Sequence, residues 1–123
     1  MAPFERDAKL KTLINDTIAN ANANMEKPGT YQRWYVMELT AIFTTSGTVG
    51  VRKFNVQLRG THYPVYLIEP FTANENETHY KTWRGTIVVD DNCYVAVYDD
   101  NSVDTAGDTV KIVIHYQPFI VDE

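Results

Sequence analysis

The chain has 123 residues and a net charge of −5, a length that suits one globular domain. Hydrophobic residues make up 44% and charged residues 22%, so a disordered tail is excluded. The acidic balance argues against a nucleic-acid partner, because a phosphate backbone is held by Lys and Arg. No apolar run approaches the ~20 residues of a membrane helix, and the N-terminus lacks the apolar segment of a secretory signal. Cys93, the single cysteine, allows no internal disulfide and opens an apolar strand, which favours an inert thiol.

The first part of the chain has the apolar spacing of a helix. Apolar side chains recur three and four residues apart at Leu10, Leu13, Ile14, Ile18 and Ala21. This spacing is typical of one face of an amphipathic helix. An asparagine-rich run at 19–24 then weakens the helix, and a Pro-Gly pair at 28–29 ends it. We therefore predict one N-terminal α-helix. Residues 1–28 form this helix and its linker, and residues 29–123 form a β-sandwich within a single domain overall.

After residue 30 the apolar period becomes two, which indicates β-strands. Every aromatic residue except Phe4 lies in this part. A long strand through Phe43 leads into a glycine-containing turn at 46–50 and returns through Phe54. Shorter strands are predicted at 65–68, 80–89, 93–98 and 110–116. Many short strands with turn residues between them, and no helix between them, are typical of an antiparallel β-sandwich.

The alternation also predicts the core. On the first long strand Tyr35, Met37, Leu39, Ala41 and Phe43 share one face. The predicted core contains apolar residues that are in phase on their strands: Phe43, Phe54, Val56, Trp83, Ile87, Val95, Val97, Ile112 and Ile114. For Trp83 this phase favours core packing over stacking on a sugar.

No catalytic motif stands out. His62, His79 and His115 are dispersed and lack the short spacing of metal ligands, so surface or structural histidines are favoured. Ser46 and Ser102 lie in turn-like segments outside a Gly-x-Ser-x-Gly setting. We expect no enzymatic activity and no cofactor.

Aspartates are concentrated near the C-terminus, with no Lys or Arg among them: Asp90, Asp91, Asp99, Asp100, Asp104 and Asp108. Such oxygens could bind calcium, although the spacing does not match an EF-hand loop. Asp and Asn also form turns, because their side chains accept hydrogen bonds from nearby backbone amides. We interpret these residues as turn formers and expect no metal. A cation site is the alternative.

The layout of strands and loops from Trp34 onward resembles a known kind of protein. Residues 43–52 read FTTSGTVGVR and lead into a strand ending VQL at 56–58. Residues 95–100 read VAVYDD, residues 103–108 read VDTAGD, and the last strand is TVKIVIHY at 109–116. This order resembles small jelly-roll β-sandwich virion proteins of tailed bacteriophages, the kind found among capsid decoration (cement) proteins and other head or tail surface proteins. The resemblance does not include the predicted N-terminal helix.

The resemblance implies a non-enzymatic subunit that folds in the host cytoplasm and becomes part of the virion. Its expected partners are further copies of itself, with a trimer favoured, and the major capsid protein or another virion protein. Neither nucleic acid nor a membrane is expected as a partner. The predicted helix offers an apolar face for such a contact, formed by Phe4, Leu10, Leu13, Ile14 and Ile18. The same face could instead pack on its own sandwich.

A second function remains open. A β-sandwich at a phage tail or surface could recognise a carbohydrate or a receptor. This function needs exposed aromatic side chains, for which the candidates are Tyr63, Tyr66 and Tyr80.

Overall fold

A computed structural model describes residues 8–25, 32–60 and 65–120. They form eight β-strands: β1 Lys9–Thr17, β2 Asn22–Asn24, β3 Gln32–Thr44, β4 Arg52–Arg59, β5 Val65–Ala73, β6 Thr78–Val89, β7 Tyr94–Asp99 and β8 Thr109–Ile120. A short 3-10 helix, Ile18–Asn20, links β1 and β2. The mainly β prediction is confirmed. The predicted N-terminal α-helix is wrong, because no α-helix occurs in the described residues.

The strands form two antiparallel four-stranded sheets that face each other as a sandwich. Sheet A has the order β1-β8-β3-β6, and sheet B has the order β2-β7-β4-β5. The first four strands therefore pair with the last four in reverse: β1 with β8, β2 with β7, β3 with β6 and β4 with β5. The chain is one long antiparallel ribbon that folds back after β4 and rolls into two layers. This is the jelly-roll arrangement.

The N-terminal segment is a strand because β8 provides it with a partner. Eight residues of β1 pair with β8, from Lys9 opposite Tyr116 to Thr17 opposite Thr109. The register shifts between Thr12 and Ile14, which leaves Leu13 as an extra residue. Such a bulge changes which residues face inward. The apolar spacing of three and four therefore arises from a bulged strand and the 3-10 turn that follows it.

A similar irregularity corrects one predicted face of β3. Leu39, Ala41 and Phe43 are buried as predicted, but a register shift lies between Val36 and Glu38. Before this shift the inward residues are Trp34 and Val36, while Tyr35 is 38% exposed. The predicted inward position of Tyr35, and the shared face that it implied with Met37, are therefore wrong.

The core fills the space between the sheets. Phe43 of sheet A stacks on Phe54 of sheet B, with ring centroids 4.8 Å apart, and Phe71 packs edge-on against both. Of the nine predicted core residues, seven are buried: Phe43, Phe54, Val56, Val95, Val97, Ile112 and Ile114. Trp83 and Ile87 are partly buried and pack against this cluster. Period-two alternation therefore predicted the core correctly wherever no bulge intervened.

Candidate functional site

The four described residues of the predicted partner contact do not lie on one face. Ile14 and Ile18 are buried in the core, and Leu13 is partly buried against it. Leu10 is 74% exposed on sheet A, and Phe4 lies outside the described residues. With the helix absent, Leu10 is the one described member of the set that is available for an outside contact.

Four large apolar side chains are exposed on the outer face of sheet A, and others are exposed on sheet B and on the β3–β4 loop. We call the outer face of sheet A the sheet A face and define it by Leu10, Tyr35, Tyr80 and Val88. Tyr80 is 71% exposed and Val88 is 55% exposed, both on β6. Val88 lies opposite Tyr35 of β3, and Tyr80 lies opposite the half-buried Ile42. Val88 and Tyr35 are therefore adjoining exposed apolar residues, whereas Leu10 lies on β1, two strands from β3. Exposed apolar side chains on a sheet are often used in protein–protein contacts.

Between these apolar positions the face carries polar side chains. Arg84 Nε donates to Glu38 Oε2 at 3.1 Å, one strand away. A row of four threonines crosses the sheet at one end, since Thr17 lies opposite Thr109, Thr109 opposite Thr44, and Thr44 opposite Thr78. Cross-strand threonine pairs stabilise a sheet without adding charge. The face therefore combines an exposed ion pair with a row of uncharged threonines.

Strand β6 also forms one side of an open groove between the sheets. The groove has a volume of about 320 Å³ and is lined by Leu67, Ile68, Glu69, Pro70, Phe71, Lys81 and Thr82. The ammonium group of Lys81 lies 4.5 Å from the centroid of the Phe71 ring. Lys81 and the His79 ring, whose centroid is 5.5 Å from that of Phe71, both pack against Phe71 at that edge of the sandwich.

A buried ion pair fastens the loops at one end of the sandwich. Arg52 and Asp108 are both fully buried, with Arg52 Nε donating to Asp108 Oδ2 at 2.9 Å and Arg52 Nη2 to Asp108 Oδ1 at 3.2 Å. Arg52 Nη1 donates to the carbonyl oxygen of Gly50 at 2.8 Å, and the Ser46 amide donates to Asp108 at 2.8 Å. The hydrogen bond to Asp108 raises the pKa of Arg52 above its ordinary value. The pair holds the β3–β4 loop against the β7–β8 loop.

This ion pair is not among the sequence-based predictions, although the sequence contains a signal for it. Arg52 stands two residues before Phe54, and Asp108 stands two residues before Val110. Both are therefore in phase with inward-facing residues. Two opposite charges at the inward ends of two strands predict a buried ion pair, because an unpaired charge there is strongly unfavourable.

Asp99 at the end of β7 and Asp104 in the β7–β8 loop accept hydrogen bonds from backbone amides and from hydroxyls. Asp99 accepts from the backbone amides of Lys53, Asn101 and Val103 at 2.9, 3.0 and 2.9 Å. Asp104 accepts from the Ser46 and Thr48 hydroxyls at 2.6 and 2.8 Å.

The bonds from Ser46 and Thr48 hold the pKa of Asp104 below its usual range. Asp99 therefore acts as a turn former, whereas Asp104 joins the β7–β8 loop to the β3–β4 loop and Asp108 forms the buried ion pair with Arg52. Across residues 8–25, 32–60 and 65–120, no three His, Cys, Asp or Glu side chains are grouped so that they could hold a metal ion.

The other candidate chemical groups are not brought together. His79 bonds to Glu77 at 3.0 Å, which lowers the pKa of that carboxyl, and His115 lies on β8 opposite Leu10. His62 lies outside the described residues. Burial raises the pKa of the Cys93 thiol, which keeps it protonated and unreactive. No helix in the described part of the chain is long and apolar enough to cross a membrane.

The outer face of sheet B carries a polar ladder along β4. Arg59 donates to Gln57 at 3.0 Å, Gln57 donates to Asn55 at 2.9 Å, and Asn55 donates to Asp100 at 3.1 Å. Three tyrosines lie opposite the ladder on the neighbouring strands: Tyr66 opposite Gln57, Tyr94 opposite Arg59 and Tyr98 opposite Asn55. Of the aromatics predicted to be exposed, Tyr66 and Tyr80 are exposed but lie on different sheets, and Tyr63 is outside the described residues.

Comparisons with known proteins give distant structural similarities. No protein-family model matches the chain, and no curated protein matches it. A chain of the T13 IBDV viral particle is similar at 7% identity and a TM-score of 0.46, over 93% of this chain and 36% of that one. A Bacillus endospore appendage pilus is similar at 9% identity and a TM-score of 0.39, over 99% and 92%. Infectious bursal disease virus strain Gx gives 7% identity and a TM-score of 0.37, over 99% and 39%. This chain thus spans little more than a third of the two viral chains, and the likeness is limited to a β-rich architecture.

Proposed function

We propose that this chain is a non-enzymatic structural subunit that associates with itself and binds a larger assembly. In the finer form that the sequence resemblance implies, the assembly is the shell of a tailed phage and the chain is a decoration (cement) subunit. It would fold in the host cytoplasm and function in the virion. Its partner would be the major capsid protein or another virion protein.

The observation that carries this proposal is the sheet A face. Leu10, Tyr35, Tyr80 and Val88 project from the outer side of one sheet, and the core between the sheets does not need them. A sandwich that buries its own core and still exposes such residues has a surface available for association. Jelly rolls occur in viral capsids, but also in lectins and cupins, so the fold alone does not decide the function.

On a lattice with repeated binding sites, weak contacts of this kind are sufficient for stable binding. Copies that are held together by one contact bind neighbouring lattice sites with a high effective concentration. The trimer favoured by the resemblance would use this effect. The net charge of −5 would keep the decorated particle soluble.

Co-sedimentation tests the proposal. We expect the purified chain to pellet with tailed-phage capsids and not with host cell envelopes. Leu10→Lys places a charge in the apolar face and should weaken capsid binding. The matched control is Val49→Lys, since Val49 is 81% exposed on the β3–β4 loop, away from the sheet A face. Binding to neither particle, or equal loss in both variants, would contradict the proposal.

The polar ladder of sheet B favours one second candidate, a carbohydrate-binding module. Amide and guanidinium groups bond to hydroxyls, and tyrosine rings pack on the apolar faces of sugars. Gln57, Arg59 and Tyr66 provide this combination on one surface. A glycan array tests this function. Loss of glycan binding in Tyr66→Ala, together with unchanged glycan binding in the control Tyr80→Ala, would favour this function over the first.

A further inference from the structure

The two sides of the sandwich are closed differently. On the side of β1 and β2, the 3-10 helix Ile18–Asn20 crosses between the sheets, and its buried first residue donates its amide to the carbonyl oxygen of Asp108 at 2.9 Å. On the side of β5 and β6, the described chain crosses at the turn of residues 74–77, at one end of the two strands. The open groove of about 320 Å³ lies between β5 and β6 beyond this turn.

The edge strand β5 is bulged where it lines this groove. Its register with β4 shifts twice, on either side of Val56. At the first shift β5 has two residues, Glu69 and Pro70, opposite one residue of β4, and at the second shift Leu67 is the extra residue. All three line the groove. Bulges bend a strand and are common next to active sites. The two bulges therefore coincide with the opening between β5 and β6.

Lys81 provides a positive charge inside the groove. Its ammonium group lies 4.5 Å from the centroid of the Phe71 ring, and the side chain is half-buried. No carboxylate of the described residues forms an ion pair with it. A lysine has three N–H donors, and a cation that faces a ring on one side keeps donors for an anion on the other. The groove therefore combines an aromatic surface with a cation that is available to bind a carboxylate.

Glu69 places the opposite charge on the β5 wall of the groove. It is exposed, and no cation of the described residues forms an ion pair with it. A carboxylate in the groove is therefore favoured beside Lys81 and disfavoured beside Glu69, because opposite charges attract and like charges repel. This arrangement suits a ligand that carries an apolar group with one neighbouring negative charge.

The groove is open to solvent rather than enclosed. A small-molecule site usually buries most of the surface of its ligand, which an open groove does not do. An extended chain can instead place one side chain in the groove and continue beyond both ends. Large side chains that fill a pocket provide much of the binding energy of an interface. The shape of the groove therefore favours a segment of another protein as its ligand.

We infer that the groove binds an extended segment of a partner protein, which places a large apolar side chain against Phe71 and a neighbouring carboxylate against Lys81. This inference rests on the structural function proposed above and names the chemistry of the partner. Lys81 and Tyr80 are neighbours on β6, with Lys81 in the groove and Tyr80 on the sheet A face. A partner that covers the sheet A face can therefore reach the groove around the edge of the same strand.

Blocked peptides test this binding on the full chain by NMR titration of the backbone amide signals. The probes are Gly-Phe-Glu-Gly, the reversed order Gly-Glu-Phe-Gly and the uncharged Gly-Phe-Gln-Gly, each acetylated and amidated so that its termini carry no charge. We expect an acidic peptide to shift the signals of residues 67–71 and 81–82, with a dissociation constant of about 1 mM. The uncharged peptide should bind about five-fold more weakly, which is the usual upper range for a partly exposed ion pair.

Charge reversal tests the role of Lys81. Lys81→Glu should remove the preference for the acidic peptides and favour Gly-Phe-Lys-Gly instead, while Lys81→Gln should cause the five-fold loss without a reversal. The matched control is Lys111→Glu, which reverses the same charge at an exposed position of β8 and should leave peptide binding unchanged. Unchanged melting temperatures would show that the variants stay folded.

Peptides that shift no groove signal would overturn the inference. Equal effects of Lys81→Glu and Lys111→Glu would also overturn it, because they would indicate attraction by net charge alone. Groove signals that shift as the chain is concentrated without peptide would identify a second copy as the occupant, again against the inference. In each case, capsid pelleting that depends on Leu10 would leave the proposed function standing. Peptide binding in the groove by a chain that does not pellet with capsids would instead contradict the proposed function alone.

Discussion

Replacing Arg52 with methionine should strongly destabilise the fold. Methionine keeps much of the volume of the side chain but removes its donors to Asp108, Gly50 and Ser46. The Asp108 carboxylate then stays fully buried and keeps the hydrogen bond from the Ser46 amide. Removal of one partner from a buried ion pair costs about 3–5 kcal/mol. For a chain of 123 residues, each kcal/mol lowers the melting temperature by about 4 °C, so we expect a fall of about 12–20 °C.

Urea unfolding followed by circular dichroism measures the change in the free energy of unfolding. Lys53→Met is the matched control, since Lys53 is the exposed neighbour on the same strand, and its substitution should cost less than about 0.5 kcal/mol. Combining Arg52→Met with Asp108→Asn removes the uncompensated charge. The double variant should therefore be more stable than the sum of the two single effects predicts. An Arg52→Met chain as stable as the Lys53→Met chain would refute the assigned role of the ion pair.

Four further outcomes are expected. Ile112→Ala empties a fully buried position and should cost about 2–5 kcal/mol, while Val113→Ala on the outer side should cost much less; equal melting temperatures for the two would contradict the assigned core face. The pKa of Asp104 in the folded chain is below its ordinary value of 3.8. The ionised carboxylate therefore stabilises the fold above pH 3.8, and this stabilisation is lost as the pH falls through the lower pKa of the folded chain. Acid titration of the unfolding free energy should therefore show a smaller loss in Asp104→Asn than in the control Glu69→Gln. EDTA should leave the melting temperature unchanged, because the loop aspartates accept bonds from the protein itself; a fall that calcium reverses would reveal a cation site. Deleting residues 1–31 removes β1, β2 and the buried Ile14 and Ile18 and should give an unfolded chain by circular dichroism, whereas a folded product would show that these strands are dispensable.

The candidate surface could be predicted only in part. Leu10 belongs to the predicted contact and is exposed on sheet A, and its contact with a partner stays a prediction. Ile14 and Ile18 were grouped with it by helical spacing, yet they lie in the core. Tyr80 and Val88 share the outer face of β6 because side chains alternate along a strand. Sequence alone could not show that β6 is an edge, since edge position depends on the order of strands in the sheet.

The alternation of apolar residues along the sequence was enough to determine the β-rich class and the placement of most strands after residue 31. It was also enough to identify seven buried core residues, the first of which is Phe43 and the last Ile114. These follow from an apolar period of two, which each segment carries within itself. Only the tertiary structure decided the state of the N-terminal segment, because β1 and β8 lie about a hundred residues apart in the chain and pair through backbone hydrogen bonds that no local spacing records. It also decided the bulges at Leu13 and Met37 relative to β8 and the pairing of Arg52 with Asp108. The bulges and the ion pair depend on which strands lie next to each other. The packing of the whole sandwich sets the order of the strands, and the residues of a single strand do not.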